Sequence, residues 1–217
     1  HGDDLHVGQD VRDDVDDARF AAANVRQRIR VLIVDGDPAR SLYDSETFYL
    51  LKALVPDPRK SSQASIQPKR ITGMELPLQR LGDFDIVVLA NVPDLRSAQV
   101  QGLRNFVEQG GGLIVFLGDK ISPRLTNARF VAGEVPLLPA KIGEELAVGE
   151  RQEGWPIEAA GGAHALSRFL SRLPAALVDE ARINKLFRLE PYAGARTILR
   201  VAGPDAPLLV EKPLGRG

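Results

Sequence analysis

Hydrophobic residues fall into short uncharged runs that alternate with stretches where they recur every three or four positions. Ile29-Arg30-Val31-Leu32-Ile33-Val34 is a β-branched run stopped by Asp35-Gly36-Asp37-Pro38, which predicts a buried strand ending in a tight turn. Beyond it Phe48, Leu51, Leu54 and Val55 share one helical face. Asp44 or Ser45 can cap that helix, and Pro56 and Pro58 end it, giving a helix over 44–55. Ser61–Ile71 alternates weakly through Ala64 and Ile66 and reads as an edge strand. Asp85–Asn91 is a second apolar strand, closed by Pro93. Ser97–Gln109 is a helix whose buried stripe is Val100, Leu103, Phe106 and Val107. Gly110-Gly111-Gly112 stops this helix and leads directly into the strand Leu113–Leu117.

Strands that are apolar throughout, instead of on alternate residues, have no solvent face. The series over residues 29–120 therefore predicts a doubly wound α/β fold. Its mostly parallel sheet has the order 2-1-3-4 or a close variant and is flanked by helices 44–55 and 97–109. Val31, Ile33, Val87, Leu89, Ile114 and Phe116 are then almost fully buried, and Ile114→Ala carries a core-sized cost of ~2–5 kcal/mol.

The remainder is less regular. Ser122–Pro139 reads as loop with a short helix, Ile142–Val148 as a strand, and Ala163–Leu173 as a short amphipathic helix with Ala165, Leu166, Phe169, Leu170 and Leu173 on its apolar side. Three C-terminal strands are predicted at Asn184–Leu189, Ala195–Val201 and Pro207–Lys212. No internal repeat is visible. Gly215-Arg216-Gly217 falls where another strand could begin, which suggests a piece of a longer polypeptide.

At the other end Asp3, Asp4, Asp10, Asp13, Asp14, Asp16 and Asp17 crowd the first residues, and their mutual repulsion predicts a solvated tail over 1–28 ahead of the domain at 29–217. Within it Phe20–Val25 could form an edge strand or a short helix. Calcium is the sharper reading of the acidic cluster, but the EF-hand pattern is absent.

Composition narrows the chemistry. With 44% hydrophobic and 26% charged residues, the 217-residue chain has ordinary globular make-up. A net charge of −1 supplies no general field for nucleic acid or for an anionic membrane. There is no cysteine, so disulfides, thiolate nucleophiles and Cys-based metal sites are excluded. Of the three histidines only His164 lies outside the acidic tail. The uncharged runs, such as Ile86–Pro93 and Gly110–Gly118, are about half as long as a membrane-spanning helix requires.

Three stretches carry a family resemblance: Val31–Pro38 with Glu46–Leu50, Phe84–Pro93, and Gly110–Asp119. Together, over roughly residues 25–145, they resemble the class I glutamine amidotransferase-like (flavodoxin-like) domain found inside large bacterial membrane proteins of the aerotolerance (BatA) type, notably in planctomycetes. Such proteins combine N-terminal membrane helices, a von Willebrand factor A domain, a β-sandwich and this α/β domain. The resemblance implies a membrane-anchored bacterial parent, with partners in other proteins or in other domains of the same chain. It also offers a second identity for residues 1–28, the remnant of a preceding β-rich domain.

Active class I amidotransferases place a cysteine on a strand-to-helix elbow and activate it with a histidine that a carboxylate orients. The comparable strand end here reads Phe116-Leu117-Gly118-Asp119, and His164 is followed by Ala165 and Leu166 where a His-x-Glu pair is needed. Glutamine hydrolysis by a thiolate is excluded. A serine hydrolase built on Ser122 and His164 lacks Gly-x-Ser-x-Gly, and Ser122-Pro123 reads as a turn that does not open a helix. No dinucleotide or Walker loop is present, so no cofactor is implied, and Gly110–Gly112 is a helix stop.

The remaining candidates lie at the carboxyl ends of the strands, where open α/β sheets bind ligands. Asp35, Asp37, Asn91 and Asp119 project there and could hold a divalent ion or sugar hydroxyls, although turns and helix caps favour the same residues. His164 is the fifth crevice candidate, although it follows Gly161-Gly162-Ala163 at a helix start, where capping or packing is the plainer reading. Trp155 before Pro156 reads as a loop anchor ahead of a binding platform. The leading expectation is a non-catalytic interaction or scaffold module. A small-molecule or carbohydrate-binding domain using the strand-end crevice comes second, and an unrecognised hydrolase third.

Overall fold

The computed structural model describes residues 28–38, 45–57, 65–131, 135–150, 152–162 and 164–217. The acidic segment with Phe20–Val25, the cap candidate Asp44, Ser61–Ala64 and Ala163 lie outside the described residues. Four strands, β1 (Ile29–Asp35), β2 (Ile66–Thr72), β3 (Ile86–Ala90) and β4 (Gly112–Phe116), form one sheet in the order β2-β1-β3-β4. All three pairings are parallel, with Leu32 beside Val87 and Val88 beside Ile114. The sheet is the predicted one, in the predicted order.

Side-chain alternation divides this sheet between two apolar clusters. Leu32, Val34, Val87 and Leu89 pack under α2 (Ser97–Glu108), where Val100, Leu103, Phe106 and Val107 form the predicted stripe. On the other face Val31, Ile33 and Val88 meet Leu50, Leu51 and Leu54 of α1 (Glu46–Leu54), which Ser45 precedes as N-cap. α1 lies over β1 and β2.

That placement overturns one expectation. Ile114 and Phe116 are 41% and 49% exposed, because β4 is an edge strand and α1 does not reach its side of the sheet. Leu113 and Val115, one residue out of phase, pack into the α2 cluster.

After β4, α3 (Pro123–Phe130) opens with Pro123 in its first turn and Ser122 at its N-cap. Ser122-Pro123 therefore does start a helix, as the fixed φ of proline suits that position. β5 (Ala140–Ala147) pairs antiparallel with β8 (Lys185–Pro191), and Ile142, Phe187 and Leu189 join the α2 cluster. A third, antiparallel sheet has the order β10-β9-β6-β7, from β6 (Trp155–Ala159), β7 (Arg182–Ile183), β9 (Arg196–Val201) and β10 (Ala206–Glu211).

Between β6 and β7 lie two six-residue helices, α4 (Ala165–Leu170) and α5 (Ala175–Glu180). The predicted apolar stripe of α4 is not its buried face. Too short to present a stripe, it docks through Ser167, whose hydroxyl donates to the Ile198 carbonyl at 3.4 Å, while Phe169 is exposed. Trp155 begins a strand instead of anchoring a loop, and its indole fills the space where a Cβ on residue 203 would stand, which only Gly203 leaves open.

Candidate functional site

The parallel register brings the carboxyl ends of β1, β3 and β4 side by side, and four of the five predicted residues meet there. Asp35 closes β1 and is 3% exposed. One of its carboxylate oxygens accepts from Thr47 Oγ1 at 2.8 Å and Ser45 Oγ at 3.3 Å, and the other from the backbone amide of Asp37 at 3.2 Å. Arg70 reaches the same carboxylate from β2 at 3.8 Å. This negative charge sits against the first turn of α1, where the helix dipole favours it, so Asp35 ties the first strand to the first helix.

Asn91 follows β3 in the left-handed region, φ 50, and is 1% exposed. Its Nδ2 donates to Asp119 Oδ1 at 2.8 Å, and its Oδ1 accepts from the Lys120 amide at 2.9 Å. The carboxamide therefore staples the turn after β4 to the end of β3. Glycines leave room on both sides, since a Cβ at residue 36 would overlap the Asn91 carbonyl and one at residue 118 its side chain. Lys120 completes the group, with Nζ 3.2 Å from Asp119 and 3.5 Å from Asp37.

These contacts hold the Asp119 carboxyl below the ordinary aspartate value of 3.8, chiefly through the hydrogen bond from Asn91 and then through Lys120. Asp119 and then Asp37 raise the Lys120 ammonium above 10.5. A depressed carboxyl favours the folded state above its unfolded value and loses that contribution as pH falls through the folded one. The raised ammonium contributes below 10.5 and loses its effect as pH rises through its folded value. A carbon-detected NMR titration of Asp119 should give a midpoint below 3.8 that moves up toward it in Asn91→Gly. A midpoint indifferent to that change would contradict the role given to the carboxamide.

His164 is not part of this cluster. It caps α4, its Nδ1 accepting from the Leu166 amide at 3.1 Å, and its Nε2 lies 3.3 Å from Glu211 of β10. None of its described hydrogen bonds or ion pairs involves Asp119 or Ser122. Among the described residues no group of three His, Asp or Glu side chains is placed to hold a metal ion.

Sequence reasoning missed Lys120, Thr47 and Arg70. Lys120 had a visible signal, adjacency to Asp119 in a strand-end turn, whereas Thr47 and Arg70 depend on how α1 and β2 meet β1. Two concavities among the described residues are lined by none of these side chains. One of about 10 Å³ between Leu89, Val115 and Phe130 has room for roughly one water. The other is an open groove of about 440 Å³ between α2 and the turns at Leu76–Leu78 and Leu81–Asp83.

No family model matches the chain, and no curated protein does. Solved structures do match. Two proteins of Salmonella typhimurium described as cytoplasmic superpose with TM-scores of 0.57 each, at 13% and 17% identity. Both cover 87% of this chain, and 85% and 84% of their own chains are covered. A protein of Bacteroides uniformis described as ThuA-like gives 0.52 at 11% identity, over 89% of this chain and 76% of its own. The fold is thus a flavodoxin-like, class I glutamine amidotransferase-like α/β fold with additional C-terminal strands, similar to that of the ThuA-like protein.

Proposed function

We propose that this domain is a non-catalytic amidotransferase-like module that serves as an interaction or scaffold element of a membrane-anchored multidomain protein. The observation that carries the non-catalytic part is the state of the elbow after β4. Where the amidotransferase reaction needs a thiolate, the chain offers Leu117, Gly118 and Asp119, and the side chain of Asn91 is packed onto Gly118. Aspartate serves as a nucleophile in some enzymes, but it then needs a neighbouring base or metal. Here Asp119 faces an amide donor and an ammonium group, which stabilise the anion and compete for its lone pairs.

The partners these carboxylates already hold weigh against the crevice as a ligand site, most at buried Asp35 and less at Asp37 and Asp119, whose side chains are 49% and 60% exposed. Asp35 is enclosed by Ser45, Thr47 and Arg70, and Asp37 and Asp119 share Lys120. The membrane setting is carried by the sequence resemblance. Among the described residues no helix is long and apolar enough to cross a membrane.

An assay of ammonia release from glutamine, run beside an esterase and amidase panel, should show no turnover above buffer. Asp119→Asn and His164→Ala serve as controls. Turnover that either substitution abolishes would overturn the non-enzymatic reading, whereas activity indifferent to both would identify a contaminant.

A further inference from the structure

The two edges of the parallel sheet are built differently. β2 carries Pro68, Lys69 and Arg70, which discourage another strand from pairing with it. β4 and its flanks, Gly110 to Gly118, carry no charge and no proline, and two apolar side chains stand open on it, Ile114 and Phe116. Among the described residues, Arg216 and Gly217 lie against Glu108 and Gly111 at the entry to this strand.

The backbone of β4 has a definite polarity across the strand. The Gly112 amide donates to the Asp85 carbonyl, and the Phe116 carbonyl accepts from the Asn91 amide, so residues 112, 114 and 116 bond toward β3. By alternation the amides and carbonyls of Leu113 and Val115 point away from the sheet.

We propose that β4 is a self-pairing edge, and that a second copy of this chain adds its own β4 antiparallel about a two-fold axis at Ile114. In this register Leu113 of each copy exchanges both backbone hydrogen bonds with Val115 of the other, so that the outward groups satisfy one another. Ile114 meets Ile114 as a non-hydrogen-bonded pair. Phe116 lies across from Gly112, where the missing side chain leaves room for the ring, an aromatic–glycine pairing that stabilises cross-strand contacts. The strand is uncharged, so no like charges face each other across the axis. The result is an isologous, closed interface that pairs the outward backbone groups of both strands and sets Ile114 and Phe116 beside side chains and backbone of the partner strand. It goes beyond the interaction-module reading and is independent of it, since an enzyme could dimerise in the same way.

The chain lacks cysteine, which permits a register-specific test. Sedimentation equilibrium at about 100 μM, enough to saturate a dimer of micromolar affinity, should give twice the 23.6 kDa of the chain. Ile114→Lys should return the mass to that of one chain with an unchanged circular dichroism spectrum. In oxidising buffer Ile114→Cys should cross-link to itself, because Cα atoms of a non-hydrogen-bonded pair stand about 4.5 Å apart, within disulfide range. Leu113→Cys, which faces Val115, should not. A monomeric wild type would overturn the proposal, as would a dimer unaffected by Ile114→Lys, or cross-linking at residue 113 and not 114. If Ile114→Lys fails to fold, the cysteine pair decides alone.

Discussion

Leu103→Ala is expected to lower the free energy of unfolding by about 2–5 kcal/mol, and Ile114→Ala by about 1 kcal/mol or less, at a concentration too low for self-association. Leu103 sits mid-way along α2 at 0% exposure, in one cluster with Leu32, Val34, Val87 and Leu89. Truncating it removes transfer free energy and leaves a cavity between a helix and two central strands, neither of which can move without disturbing the parallel ladder. Ile114 is 41% exposed on an edge strand, so solvent fills the space its methyl groups vacate. Urea melts should show a lower midpoint for Leu103→Ala with an unchanged slope, since the surface exposed on unfolding hardly changes. Equal losses at the two positions would mean that something covers β4 even at high dilution.

The contrast also marks how far local pattern carries. β1, β3 and α2 were legible because their apolar residues form continuous runs or a helical stripe, and a segment of that kind must be buried wherever it lies. The run Leu113–Leu117 looks the same, but burial of its second face requires a neighbour that the run itself does not encode. Only the strand order and the reach of α1 make β4 an edge. The C-terminal half was harder for a related reason. β6 contains Pro156 and Glu158, and β7 is two residues long, so their strand character comes from pairing with β9 and with each other.

At the candidate site the residue types were legible and their purpose was not. Asp35, Asp37, Asn91 and Asp119 could be placed at strand ends by counting along three separate segments. That Asn91 fits between Gly36 and Gly118, and that Lys120 answers two carboxylates, depends on distances across those segments. His164 was readable as a cap because its neighbours in sequence supply its partner.

Gly36→Ala is expected to cost about 3 kcal/mol or more, toward the upper end of overpacking penalties, and Gly118→Ala should also destabilise the fold, by a different route. At residue 36 the new methyl group meets the Asn91 carbonyl and Val92 Cα, backbone atoms held by the β1–β3 ladder, including the Gly36 amide's 2.9 Å bond to the Ala90 carbonyl. At residue 118 the atoms nearest the methyl group are those of the Asn91 carboxamide, which can be displaced at the expense of its bonds to Asp119 and the Lys120 amide. The two variants therefore respond differently to a second change. Asn91→Gly removes the side chain and places at φ 50 the residue most at ease there, so it should recover much of the loss in Gly118→Ala and little of that in Gly36→Ala. Thermal or urea unfolding of the two singles, Asn91→Gly and both doubles measures the coupling directly. Rescue of Gly36→Ala by Asn91→Gly would show that the side chain, and not the backbone, fills that space.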